Sequence, residues 1–342
     1  MRHKQTSFQQ KMHQKWLLFL FILTVLLILS VLLSLSTGDV NIPLSGIFKI
    51  LKAKNSLKYE VLNNIRIPRT ILAFSVGGAL SLAGTLLQGV YRNPLVEPYT
   101  MGISGGASLG VAICIVFGIS FKTSPLALPF FGFLGAFGST FLVYWLSSGK
   151  RGLNINKMLL IGVMISFIAS SALLFLMSIT TVENLQSIIF WMMGSLNQPN
   201  KLLIYTSLIT SLLGLMISYL YVAPLNALRL GEVKAKHLGI KTGHSIKVIF
   251  IVASFITGIS VSAAGVIGFV GLIIPHLIRN IMGSDYRGLL LASFIGGGIF
   301  LILSDILART IISPMELPIG VITGMLGGII FIGVLSKKLK PD

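Results

Sequence analysis

Five consecutive residues, Gly102-Ile103-Ser104-Gly105-Gly106, have the Gly-x-Ser-x-Gly spacing of a nucleophile elbow, in which a sharp turn exposes a serine hydroxyl. The same letters fit the Gly-x-Ser-Gly of rhomboid-type intramembrane proteases. Neither chemistry is complete. An elbow needs a strand before the turn, and here apolar helical segments lie on both sides. An intramembrane protease needs a histidine base across the bundle, and only His276 stands near an apolar run. Ser104 therefore reads as a packing residue, with an intramembrane serine hydrolase as the alternative enzyme. His276, between Pro275 and Arg279, has no further metal ligands close by and reads as structural or interfacial. Cys114 is the single cysteine, which excludes a disulfide framework and any cysteine-based metal site. The sequence contains no Gly-x4-Gly-Lys-Ser/Thr phosphate loop, so any nucleotide chemistry must come from another chain. No resident cofactor is expected. Asp305 and Arg309, one helical turn apart, read as an ion pair that limits the cost of burying either charge.

The elements that must carry these residues are set by composition. The chain has 342 residues, 54% hydrophobic and 11% charged, with a mean hydropathy of +0.91. Ordinary globular proteins carry about 25% charged residues, so a soluble enzyme or a disordered chain is excluded. A helix needs about 20 apolar residues to cross the hydrocarbon core. Ten uncharged runs meet that need, roughly 16 to 36, 70 to 89, 101 to 119, 124 to 147, 158 to 179, 202 to 222, 248 to 266, 267 to 282, 288 to 308 and 317 to 336. The boundary between the seventh and eighth is the least marked. Residues 16 to 36 exceed the 7 to 15 residues of a signal-peptide core and read as a first span. The predicted fold class is an all-α polytopic membrane protein, with residues 1–342 a single transmembrane domain and 16–338 its membrane-embedded region.

Lysine and arginine counts orient the map, because short cytoplasmic loops attract positive residues. With the amino terminus inside, 18 of the 27 fall inside and 9 outside, which puts both termini in the cytoplasm of a plasma-membrane protein. The net charge of +18 is distributed over these loops and forms no single basic face, so no nucleic-acid partner is expected.

Glycines four apart let helix backbones approach closely where lipid supplies no hydrophobic drive. Gly102, Gly106 and Gly110 form one such face, and Gly320, Gly324 and Gly328 another. Packing between helices of the same chain is the expectation for both.

Taken in order, the motifs resemble a known family. Arg66-Ile67-Pro68-Arg69 leads to Gly77-Gly78-Ala79, Gln88, Arg92-Asn93-Pro94-Leu95-Val96-Glu97-Pro98 and Gly102-Ile103-Ser104-Gly105-Gly106-Ala107. Gly231-Glu232, Leu238-Gly239, Gly268-Phe269-Val270-Gly271-Leu272, Pro275-His276, Arg279 and Asp285-Tyr286-Arg287 follow, then Asp305, Ala308-Arg309 and Glu316-Leu317-Pro318-Ile319-Gly320. This series, over about residues 16 to 338, resembles the FecCD family, the BtuC-like permease subunits of ABC importers for ferric siderophores, haem and vitamin B12. Val96 stands where many relatives carry alanine, and Lys49 to Lys58 is unusually basic for an outer loop.

The resemblance implies about ten spans in a BtuC-like permease fold with no catalysis of its own. It implies a second permease subunit, identical or sister, two cytoplasmic ATP-binding subunits and an extracytoplasmic binding protein. The substrate expected is a ferric siderophore or haem, with a cobalamin importer as the alternative. An ion-coupled secondary transporter is the other transport class, and it predicts acidic residues at mid-membrane. None of the nine acidic residues reads as central in a span. Residues 226–243 take the place of the family's coupling helices, with Leu230, Gly231, Glu232, Leu238 and Gly239 as coupling residues. Leu225, Leu228 and Val233 add to the apolar knobs read in this segment, and Arg229, Lys234 and Lys236 keep it soluble. By the same resemblance, Arg66, Arg69 and Arg309 dock carboxylates of the binding protein.

Overall fold

The computed structural model describes residues 2–38, 40, 42–53, 56–119, 124, 126–149 and 152–338. The charges counted at Lys54, Lys122, Lys150, Arg151 and Lys340 lie outside the described residues. Among the described residues seven helices are long and apolar enough to cross a membrane, and three shorter apolar helices, Ile103–Val116, Val270–Met282 and Ile319–Val334, complete the ten expected. In chain order the helices are α1 (Arg2–Ser36), α2 (Ile47–Lys52), α3 (Leu57–Glu60), α4 (Ile67–Tyr91), α5 (Ile103–Val116), α6 (Ala127–Ser147) and α7 (Ile155–Ile179). They continue as α8 (Val182–Met192), α9 (Lys201–Leu220), α10 (Val222–Leu228), α11 (Glu232–His237), α12 (Thr242–Ala264), α13 (Val270–Met282), α14 (Tyr286–Thr310) and α15 (Ile319–Lys338). Among the described residues the sole β pairing is a ribbon of Ser148–Gly149 with Gly152–Leu153.

The fold is built around α4. All but four of its 25 residues are buried, and α9, α12, α13 and α14 pack around it. Its sequence explains how so many neighbours fit, since Gly, Ala and Ser fill the central turns and hold the neighbouring backbones close. A Cβ on Gly77 would stand 2.3 Å from the Gly297 carbonyl oxygen of α14, and one on Gly84 would stand 1.8 Å from that of Gly271 on α13. Two hydroxyls on α4 bond within the helix, Ser75 to the Ile71 carbonyl and Thr85 to the Ser81 carbonyl. By contrast α1 and α7 expose long rows of Leu, Ile and Phe, as helices at a lipid boundary do.

Two spans are too short to cross alone. At 1.5 Å per residue α5 and α13 reach about 21 and 20 Å, against about 30 Å of hydrocarbon. Irregular backbone supplies the remainder. The connection from Arg92 turns back into the fold through a single turn at Pro98–Met101, and Gly271, near the start of α13, lies against both Pro98 and Leu80 of α4. The seventh and eighth spans are separated by Gly265–Gly268 and the αL residue Phe269 (φ 69°).

The two glycine faces differ. A Cβ at Gly106 would meet the Gly135 carbonyl oxygen at 2.4 Å, one at Gly110 would meet that of Phe131 at 2.3 Å, and Gly102 lies against Ile165. On α15, Gly320 lies against the Met193 carbonyl, but a Cβ at Gly324 or Gly328 meets nothing within 4 Å. The expectation of intramolecular packing thus fails for those two. Periodicity marks a small-residue face, and at Gly324 and Gly328 that face of α15 meets no described residue, although neighbouring Gly327 lies against Phe269 and Ile273. Gly84→Ala is expected to lower the thermal unfolding midpoint of the purified chain, because the helix-propensity gain of about 1 kcal/mol is outweighed by displacing α13. Gly324→Ala should leave the midpoint of the isolated chain unchanged or raise it, and equal responses would refute this contrast.

Candidate functional site

Long-range contacts sort the charged residues into two groups at opposite ends of α4. At the first end Arg69 donates through Nε to Asp305 Oδ1 at 2.8 Å and through Nη1 to both oxygens of Glu316 at 2.8 and 2.9 Å. Arg309 Nε stands 3.1 Å from Asp305 Oδ2, and its Nη2 donates to the Ser34 hydroxyl at 3.1 Å. That hydroxyl pairs with Thr70 at 2.8 Å. Arg66 donates to the carbonyls of Leu35, Ser36 and Val40. Two guanidiniums and two carboxylates therefore neutralise one another where α1, α4, α14 and the start of α15 meet. A buried carboxylate needs such pairing, and Asp305 is fully buried between two arginines.

These positions answer the docking expectation in part. Arg66 and Arg69 are 3% and 6% exposed, so each guanidinium is engaged by its own chain rather than presented as an open fork. The member of the cluster that faces outward is Glu316, whose side chain is 46% exposed. The expected pairing of Asp305 with Arg309 is present, and Arg69 joins it from 236 residues away in sequence.

At the other end lie the short helices α10 and α11; α11 falls within the expected coupling segment 226–243, whereas α10 starts four residues before it. Gly231 (φ 107°) and Gly239 (φ 80°) bracket α11 in conformations that L side chains rarely adopt. Glu232 pairs with Lys236 at 2.9 Å, and the Thr242 hydroxyl donates to it at 3.4 Å. Leu230, Val233 and Leu238 are strongly exposed, whereas Leu225 and Leu228 are buried in the main core. The knobs expected at Leu225 and Leu228 are therefore anchors. They face the bundle because α10 continues directly from α9 with one face against α4 and α14. Asn226 ties this segment to the start of α14, donating to Asp285 at 2.9 Å and accepting from the Tyr286 backbone N–H. The Lys247 ammonium lies 5.5 Å from the centre of the Tyr144 ring, and Trp16 donates to the Met282 carbonyl. Each of these pairs joins residues that the charge count assigned to the same face.

Between the two ends the break between α12 and α13 is held by polar groups from two other segments. The Ser195 N–H donates to the Ala264 carbonyl at 2.8 Å, Gln198 to the Ala263 carbonyl at 3.2 Å, and the Ile267 N–H to the Tyr99 hydroxyl at 3.1 Å. Glu97 accepts the Phe269 N–H at the start of α13, a carboxylate at a positive helix end. Glu97 is thus an acidic residue deep in the bundle, which the sequence reading placed in a loop. Its signal was the pair of prolines at 94 and 98, but only the contact with α13 shows how far the chain turns back. Ser104 sits in the first turn of α5, preceded by the turn at Pro98–Met101 and Gly102 rather than by a strand. The elbow geometry is absent. Among the described residues no group of three or more His, Cys, Asp or Glu side chains could hold a metal ion.

Comparison with known proteins agrees with this architecture. The FecCD transport family matches residues 26–337. The hemin transport system permease protein HmuU of Yersinia pestis is 38% identical over 323 residues, covering 92% of this chain and 94% of the relative. The vitamin B12 import system permease protein BtuC of Klebsiella pneumoniae is 36% identical over 332 residues, covering 96% of each. A solved structure, described as an inward-facing conformation of a metal-chelate type ABC transporter, superposes with a TM-score of 0.82 at 32% identity, over 95% of this chain and all of that one.

Replacing Asp305 with Ala leaves two buried guanidiniums side by side. The expected loss is about 3–5 kcal/mol, the usual range when one partner of a buried pair is removed. Asp305→Ala should therefore unfold at a markedly lower temperature in detergent, while Glu316→Gln, at the exposed end of the cluster, should shift the midpoint little. The reverse order would contradict the burial argument.

Proposed function

Because this chain belongs to the FecCD transport family, as a permease subunit of an ABC importer whose ATP hydrolysis lies on a separate chain, we propose that it carries a ferric siderophore or haem inward across the plasma membrane. Alternating access is the mechanism, with no bond made or broken by this chain. The carrying observation is the pair of short helices α10 and α11, which expose Leu230, Val233 and Leu238 at the end of the bundle opposite the neutralised ionic cluster. Exposed apolar side chains on and beside the charged helix α11 have no use in water. They suit a cleft on a soluble partner, the ATP-binding subunit. Gly231 and Glu232 start α11, and Gly239 follows it, so a push on Leu238 is passed to α12 through a segment only a few residues long.

In this reading α10, α11 and both termini face the cytoplasm, and the Arg69 cluster faces the binding protein. A second permease subunit covers the open side of α15, where Gly324 and Gly328 leave room for a backbone and Met325, Ile329 and Ile332 are exposed. The substrate reading rests on the likeness to a hemin permease and to a metal-chelate transporter. Vitamin B12, carried by another relative, is also a bulky metal chelate and is the alternative. The bonds that Asp305 makes to two arginines speak against an ion-coupled mechanism, since an acid so engaged cannot exchange ions freely.

The function is tested by ATP-dependent uptake into vesicles reconstituted with the complex, and by mass spectrometry of the ligand that co-purifies with its binding protein. A cobalamin ligand would move the substrate assignment, and uptake independent of ATP would overturn the class. Leu238→Asp should abolish co-purification of the ATP-binding subunit while leaving the binding protein docked.

Docking through Arg66, Arg69 and Arg309 has to reckon with their internal bonds. We propose that a carboxylate of the binding protein replaces Glu316 on Arg69, since Glu316 is the exposed member and arginine grips carboxylates through a planar fork. Glu316→Gln should then speed association and make it more salt-sensitive, and Arg69→Gln should slow it. Association rates unchanged in both variants would sink the exchange.

A further inference from the structure

A cavity of about 280 Å³ opens among the ends of α4, α10, α13 and α14. Its wall carries three arginines, Arg92, Arg229 and Arg279, with the polar side chains of Gln88, Asn280 and Ser284 and no carboxylate. Among the described residues no carboxylate pairs with this group. The acids of this half are engaged elsewhere, Asp285 by Asn226 and the Arg287 N–H, Glu232 by Lys236, and Glu97 by the Phe269 N–H. Among the described residues no ion pair involves any of the three arginines. The arrangement is the opposite of that at the far end, where each buried guanidinium meets a carboxylate or a row of carbonyls.

The wall also holds unused hydrogen-bonding capacity. Arg279 bonds the Tyr286 hydroxyl, but its buried Nη2 has no hydrogen-bond partner. Gln88, 2% exposed, directs Nε2 to the carbonyls of Gly271 and Leu272, and its Oε1 accepts nothing. Leaving a buried charged donor unmet is costly, so a group that brings acceptors is strongly favoured there.

We propose that this cavity binds a phosphate group. A carboxylate has two oxygens and is saturated by one fork, whereas a phosphate offers three or four and can meet guanidiniums from three helices at once. Basic pockets between helices at the cytoplasmic face are where phosphate headgroups of anionic lipids are held. A lipid headgroup and free phosphate share this chemistry. The bound group would tie the ends of α4 and α13 to the coupling segment, because the Arg92 Nη1 lies 3.5 Å from the Cβ position of Gly231.

The test uses the purified full chain and follows its unfolding midpoint, so it is independent of uptake and of the transport assignment. The probes are inorganic phosphate and phosphatidylcholine bilayers with or without phosphatidylglycerol. Wild type should be stabilised by phosphatidylglycerol, and the double variant Arg92→Gln with Arg279→Gln should bind about tenfold more weakly. Lys157→Gln, which removes a charge at an exposed position outside the cavity, should behave as wild type. If the double variant does not fold, Arg229→Gln alone, at an exposed position, takes its place. Stabilisation by phosphatidylglycerol alone identifies a lipid headgroup, and an added response to inorganic phosphate identifies the free ion. No response to either probe, or equal responses in the variant and the Lys157 control, overturns the proposal. So does loss of the ATP-binding subunit from the variant with phosphate responses intact, which would assign the arginines to a carboxylate of that subunit.

Discussion

Everything in this fold depends on α4 being surrounded by protein on every side inside a bilayer. In water such a helix would be driven to the centre by hydrophobic burial, but lipid tails are as apolar as leucine and supply no such drive. Close backbone contact must hold it instead. Gly77 against Gly297 and Gly84 against Gly271 bring the helix carbonyls to distances that no larger residue allows. Those two contacts fix α14 and α13 on α4, and through them the depth at which α13 begins.

That depth explains the irregular backbone. A helix that starts halfway down α4 leaves free N–H groups at its first turn, and lipid cannot satisfy them. The chain responds by converging on the break. Glu97, Tyr99, Ser195 and Gln198 each satisfy a group between Ala263 and Phe269, and Gly320 bonds the Met193 carbonyl beside them. Four otherwise separate segments are thereby joined at one level. On the proposed function, a displacement of α12 by residues 226–243 reaches α13, the 92–102 connection and the start of α15 without crossing lipid. The junction is held by single hydrogen bonds rather than by a wide apolar contact, and such bonds can exchange partners as the helices tilt.

How much of this was legible in the sequence follows from what each signal measures. Hydropathy found all ten apolar helices, because a span is a one-dimensional property. It missed α8, whose eleven residues are too few to span, although Thr181 and Glu183 mark its start as a capped first turn. Charge counting grouped the loops by face but could not register burial, so Arg66 and Arg69 read as exposed forks. Their carboxylate and carbonyl partners lie 26 to 247 residues distant in sequence. The family resemblance led to short coupling helices in residues 226–243, and the leucine pattern suited them without telling which leucines turn inward. Glycine periodicity has the same blindness, giving one meaning to Gly106, which meets α6, and to Gly328, which meets no described residue.

The contrast between the two ends of α4 carries the last step. Arginine at a membrane boundary can be held by protein or left for an outside anion, and this chain does each once. At the Asp305 end Asp305 and Glu316 neutralise Arg69 and Arg309, and in the docking proposed above recognition depends on which carboxylate sits on Arg69. At the Arg279 end the charges add, and the proposed phosphate group would supply the acceptors that the chain does not. Buried ion pairs contribute more to the uniqueness of an arrangement than to its stability in some systems. Here that distinction would make the first end a rigid frame and the second an adjustable one, its rigidity set by what occupies the cavity. On the proposed function this asymmetry has a use, because the end assigned to the ATPase stroke moves relative to the end assigned to substrate entry.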